Sequence, residues 1–99
     1  MRKLWSDEAW DSYVDWQSLD KKTLKKINIL LKSIDRNGYA CEGHPEKLTG
    51  SLSGFYSVRI DKENRLVFRI TCGILEISQC GTHYEDENFS SGLKSSAKA

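Results

Sequence analysis

The sequence is poor in the residues that staple or interrupt a chain. Its 99 residues include three cysteines (Cys41, Cys72 and Cys80) and a single proline, Pro45. Three is an odd number, and no Cys-x-x-Cys or Cys/His ligand spacing accompanies them. Structural disulfides and zinc are therefore not expected, and a reducing cytoplasm is the natural setting. No apolar run is long enough to cross a bilayer. Met1 to Trp5 meets Ser6-Asp7-Glu8 at once, without the apolar stretch of a secretory signal, so no membrane association is expected. An excess of one charge is also lacking: 15 Lys and Arg against 14 Asp and Glu leave a formal +1. Net charge thus points to no partner, although a local basic patch balanced elsewhere remains allowed. No cluster of acids and histidines suggests a metal, and no cofactor is expected.

What the chain does have is enough for one domain: 38% hydrophobic residues, sufficient for a thin core. Its organising stretch is Leu52 to Thr71. Two short β-branched and aromatic runs flank the polar tetrapeptide Asp61-Lys62-Glu63-Asn64, the pattern of an antiparallel hairpin. Cys72-Gly73 reads as a tight turn into a further strand, Ile74 to Cys80, whose Leu75 and Ile77 alternate with Glu76 and Ser78. Upstream, Arg2 to Trp5 reads as an edge strand and Ser6 as a helix cap, with Asp7 and Glu8 suited to the positive end of the helix dipole. Trp10, Tyr13, Val14 and Gln17 follow at helical spacing, flanked by Trp16. Asp20 caps a second helix with the stripe Leu24, Ile27, Leu31 and Ile34, widened by Leu30 and stopped at Asn37-Gly38. The expected fold is α+β: an N-terminal helical hairpin packed on a small antiparallel sheet. Tyr39 to Ser53 reads as a long loop, a frequent place for function. The folded domain is expected to span residues 1–84, with a disordered tail over 85–99, where apolar patterning is absent.

Candidate chemistry is spread along this frame. Glu46 sits in the long loop, His83 at the end of the last strand, and Tyr84 beside it. Arg59, Arg65 and Arg69 share the polar-looking side of the hairpin, where they can bind phosphate or pair with Asp61, Glu63 or Glu76. Lys21, Lys22, Lys25 and Lys26 crowd the start of the second helix; by charge pattern alone an ordinary solvated face is the preferred reading. Singly none of these is specific. Together, an acid, a histidine and arginines are the parts of a metal-free ribonuclease: a base for the ribose 2′-OH, an acid for the departing 5′ oxygen, and a cation for the phosphorane.

The motifs Trp5-Ser6-x-Glu8-x-Trp10-Asp11-x-Tyr13-x-x-Trp16, Lys25-Lys26-Ile27-Asn28, Gly43-x-Pro45-Glu46-x-Leu48, Leu52-Ser53-Gly54-Phe55-Tyr56-Ser57, Arg59-Ile60, Arg65-Leu66-Val67 and Cys80-x-x-His83-Tyr84 together resemble the YoeB-type (Txe) toxins of the RelE/ParE superfamily. That resemblance implies a RelE-like microbial ribonuclease fold and a ribosome-dependent endonuclease that cuts mRNA in the A site, leaving a 2′,3′-cyclic phosphate. It implies Glu46 as general base, His83 as general acid, Arg65 as phosphorane clamp and Tyr84 as orienter of the phosphate. Arg59 becomes a supporting contact, and Lys21, Lys22, Lys25, Lys26 and Lys47 become contacts to RNA, which reverses the solvated-face reading. The implied partners are a YefM-like antitoxin, the 70S ribosome and a second copy of the chain. The sequence departs from the usual pattern at Val58 and Thr49, where basic residues are common, and at Glu85-Asp86-Glu87, which follow the tyrosine that usually ends such chains. Two other functions stay open from the residues alone: a non-catalytic ParE-like gyrase binder, and a degenerate toxin that only binds its antitoxin and tunes transcription.

Overall fold

The computed structural model describes residues 1–82. Five strands and two helices are built: β1 (Arg2–Trp5), α1 (Asp7–Leu19), α2 (Lys21–Asn37), β2 (Glu46–Lys47), β3 (Tyr56–Arg59), β4 (Arg65–Thr71) and β5 (Ile74–Thr82). The sheet runs in the order β1-β5-β4-β3-β2. The α+β expectation and the helical hairpin hold, but the sheet is mixed and not wholly antiparallel. The edge strand β1 joins β5 in parallel, with Arg2 opposite Ile74 and Trp5 opposite Ile77. Such a pairing joins residues more than seventy positions apart, and no local pattern announces it.

Local chemistry explains the element ends. The Ser6 hydroxyl accepts the Ala9 N–H at 3.0 Å and donates to the Ser78 carbonyl at 2.8 Å, so one side chain caps α1 and ties it to β5. Asp20 caps α2, accepting from the Lys22 and Thr23 amides and from the Thr23 hydroxyl. That hydroxyl bond, aided by the amides, holds the Asp20 carboxyl below its usual range. Gly38 ends α2 at φ +61°. Between β3 and β4, Asp61 Oδ1 accepts the amides of Glu63 and Asn64, each at 2.8 Å, which folds the polar tetrapeptide into an Asx-type turn. Cys72 and Gly73, both at positive φ, make the two-residue turn into β5.

The core lies between the helices and one face of the sheet. Ile27, Leu30, Leu31 and Ile34 of α2 and Ala9 of α1 meet Val58, Leu66, Phe68, Leu75, Ile77 and Cys80. The α2 stripe is therefore as expected, with Leu24 only partly buried. On α1 the expected stripe is wrong at three positions: Trp10, Val14 and Gln17 are exposed, and Ala9 with the partly buried Tyr13 and Trp16 faces inward. Trp10 joins Trp5 and Tyr13 in an aromatic cluster on the flank, with ring centroids 4.8–5.9 Å apart. The long loop is also more ordered than expected, since it contains β2 and two 3-10 turns, 38–40 and 50–52. Within it Tyr39 replaces a missing strand: its hydroxyl accepts the Ile70 N–H at 2.7 Å and donates to the Ile70 carbonyl at 3.3 Å, beyond the reach of β3.

Strand β5 is irregular where it matters. Its pairing with β4 shifts register twice, between Arg65 and Leu66 and between Val67 and Phe68, leaving Ser78 and Gly81 as the extra residues. Leu75, Ile77 and Cys80 can therefore all face the core although their spacing is two and then three. Burial pushes the Cys80 thiol up to about 12, so it stays protonated. Among the described residues no helix is long and apolar enough to cross a membrane.

Candidate active site

The face of the sheet turned away from the helices carries two cross-strand rows. Glu46, Ser57, Val67 and Gln79 form one, on β2, β3, β4 and β5. Arg59 and Arg65 form the next, where the backbone of β5 pairs with Arg65 at Thr82. Residues directly opposite in antiparallel strands share a face, so the pleat alone brings Glu46, Arg59 and Arg65 together. Glu46 reaches this position because it lies in β2 and not in a loop.

The three side chains sit differently. Arg65 is held low against the sheet, its side chain 21% exposed, while Glu46 stands at the rim with 65% exposed. Arg65 Nη1 donates to Ser57 Oγ at 3.0 Å and lies 3.6 Å from Glu46 Oε1. The first is a hydrogen bond; the second is an ion pair beyond hydrogen-bond length. Arg59 is exposed, directly across from Arg65. Two guanidinium groups on opposed residues next to one carboxylate make a local cationic surface on a chain of almost no net charge. Arg69 does not contribute to it in the same way. It pairs with Glu76 at 2.9 Å and lies over the Phe55 ring, 4.6 Å from its centre.

Ser57 was not singled out by sequence. It is 1% exposed and bridges Glu46 and Arg65 across the rows. The available signal was a small hydroxyl residue inside a strand, between Tyr56 and Val58, on the face that carries the arginines. Val58 itself is spent on the core, at 1% exposure.

The remaining candidates divide. The Trp16 indole N–H donates to the Cys80 carbonyl at 3.1 Å, so α1 runs along β5 towards its last residues. Lys21 and Lys22, which open α2, thus lie beyond the end of the sheet that carries Arg59 and Arg65, and both are exposed. Lys25 is exposed; Lys26 faces Glu42 at 3.9 Å. Lys47 is opposite Tyr56, so it belongs to the helix-side face and not to the face of Glu46. His83, Tyr84 and the tail over 85–99 lie outside the described residues.

The sequence family described as the YoeB-like toxin of bacterial type II toxin–antitoxin systems matches residues 5–84. The chain belongs to this family. The toxin YoeB of Escherichia coli (strain K12) is 46% identical over 84 residues, covering 85% of this chain and all of that one. Among solved structures, a chain of the heterotetrameric YoeB–YefM toxin–antitoxin complex from Staphylococcus aureus superposes with a TM-score of 0.77 at 46% identity, covering 85% of this chain and 98% of that one. A YoeB dimer from the same organism matches equally, with a TM-score of 0.77, 46% identity and the same two coverages. This chain is thus a toxin of a type II toxin–antitoxin system, of the YoeB family.

Proposed function

We propose that this YoeB-family toxin is a ribosome-dependent endoribonuclease that cleaves mRNA in the A site and so stops translation in the cytoplasm. Its working unit is residues 1–84, with 85–99 as an appended tail. The observation that carries the reading is the Arg65–Glu46 pair on the open face, one row from the end of β5. A carboxylate and a guanidinium 3.6 Å apart are suited to removing a proton beside a phosphate and to neutralising the charge that follows. A gyrase binder or a bare antitoxin ligand has no use for such a pair.

The steps follow from these groups. Glu46 takes the proton of the ribose 2′-OH, and the alkoxide attacks the adjacent phosphorus. Arg65, supported by Arg59, stabilises the doubly charged phosphorane, and Tyr84 orients the phosphate. His83 gives its proton to the 5′ oxygen as the P–O bond breaks, leaving a 2′,3′-cyclic phosphate and a 5′-hydroxyl. No step needs a metal. Lys21, Lys22, Lys25 and Lys26 supply phosphate contacts to ribosomal RNA, with Lys47 a further contact on the other sheet face. The similarity to a YoeB–YefM complex and to a YoeB dimer supports a YefM-like antitoxin and a second copy of the chain as partners.

Mapping mRNA 5′ ends on ribosomes after brief induction tests the reading. Cuts phased to the A-site codon, absent with Glu46→Ala, are expected. Gyrase-dependent DNA breaks with intact mRNA would replace it with the binding function, and growth arrest that survives Glu46→Ala would remove catalysis from the account.

A further inference from the structure

An arginine beside a general base has two ways to sit. It can close on the carboxylate as a bidentate pair, which is the stronger geometry, or it can be held off by a competing acceptor. Here it is held off. One guanidinium nitrogen, Arg65 Nη1, is 3.0 Å from Ser57 Oγ and 3.6 Å from Glu46 Oε1. Of these two contacts, the one at hydrogen-bond length is to the hydroxyl.

Ser57 is suited to this by its buried place within the sheet. It lies within β3 and is 1% exposed, on the same cross-strand row as Glu46 and Val67. A buried hydroxyl requires a hydrogen-bond partner, and this one has Arg65. The Ser57 backbone is paired with a strand on both sides, whereas Glu46 sits on a two-residue edge strand and is 65% exposed. Of these two acceptors, the buried one is the better placed to set the guanidinium.

We propose that Ser57 is a positioning residue for cleavage: its hydroxyl presets the Arg65 guanidinium for the phosphorane and keeps it from closing onto Glu46. This rests on the endoribonuclease reading above. In the wild type the cation is in place before RNA arrives, and the Glu46 carboxylate keeps a face free of Arg65 for the 2′-OH proton. Without the hydroxyl, Arg65 swings to Glu46 and occupies both groups with each other.

The test compares Ser57→Ala and Ser57→Thr with wild type in three measurements. These are single-turnover cleavage at saturating toxin on mRNA-programmed 70S ribosomes, affinity for those ribosomes, and ¹⁵N NMR of Arg65 guanidinium rotation in the free protein. Ser57→Ala is expected to slow cleavage about 10- to 100-fold, the scale of a misplaced catalytic group, with affinity within twofold and faster guanidinium rotation. Ser57→Thr, which restores a hydroxyl, is expected to recover most of the rate. Wild-type cleavage by Ser57→Ala overturns the proposal. So does a loss shared equally by Ser57→Ala and Ser57→Thr when both melt like wild type, because the effect is then packing. If the wild type itself cuts no ribosome-bound mRNA, the endoribonuclease reading falls and this role falls with it; the rotation measurement then still decides whether Ser57 holds Arg65.

Discussion

At the scale of single residues the site is a matter of which charge is fixed and which is loose. Arg65 is low on the sheet and bonded to Ser57, Glu46 is at the rim, and Arg59 is exposed across the strand pair. Truncating Arg65 to alanine removes the only one of these cations fixed at the Glu46 carboxylate, and cleavage is expected to fall by about 10²-fold or more. Single-turnover rates on ribosomes measure it, and an unchanged rate would remove the clamp role. Gly81 carries a different burden. It sits at φ +94°, and a Cβ there would lie 2.8 Å from Trp16 Cζ2, with Nε1 closer still. Backbone strain and a displaced indole together should make Gly81→Ala cost about 2 kcal/mol or more, read as a lower urea midpoint. Glu46, Arg59 and Arg65, which the sheet brings to one face, were legible as candidates because acids and arginines advertise themselves. Ser57 was not, since a serine in a strand looks like a solvated position until its burial and partner are known.

At the scale of elements, the sequence was most informative where the cause is local. Caps at Ser6 and Asp20, the stop at Gly38, the Asp61–Asn64 loop and the Cys72-Gly73 turn are all chemistry between near neighbours. It was least informative where strands meet at a distance. The parallel pairing of β1 with β5, the two bulges at Ser78 and Gly81, and the inward face of α1 depend on partners far along the chain. On α1 the small Ala9 lets the helix approach β5 closely, and the large Trp10 and Val14 that dominate the helical pattern are turned out. One cap and one ion pair also predict a pH response. Asp20, through the Thr23 hydroxyl, and Asp35, through the Lys3 ammonium at 3.0 Å, both hold their protons less tightly than ordinary carboxyls. A folded-state value below the unfolded one stabilises above the ordinary carboxylate range and loses that contribution as pH falls through the folded values. Urea midpoints measured from neutral pH to pH 2 should therefore fall more steeply for wild type than for Asp20→Asn or Asp35→Asn. Parallel curves for all three would show that neither carboxylate is coupled to folding.

At the scale of the whole molecule, the proposed engagement of ribosomal RNA by a nearly neutral chain requires its charge to be distributed unevenly. Arg59 and Arg65 lie on the open face, and Lys21 and Lys22 lie beyond the same end of the sheet. The acids Asp7, Glu8, Asp11 and Asp15 are gathered on α1, each exposed. Ribosome binding is accordingly expected to weaken steeply with salt, with a log–log slope that shrinks by about one for each phosphate contact removed. Lys21→Ala with Lys22→Ala should flatten that slope, and an unaltered slope would take these two lysines off the RNA surface.

The indole that rests on Gly81 also has an optical use. Trp16 is half-buried and bonded to a carbonyl of the strand that leads out of the sheet beside Arg65. With Trp5 and Trp10 replaced by phenylalanine, its emission becomes a label-free reporter of that strand's end in the isolated protein.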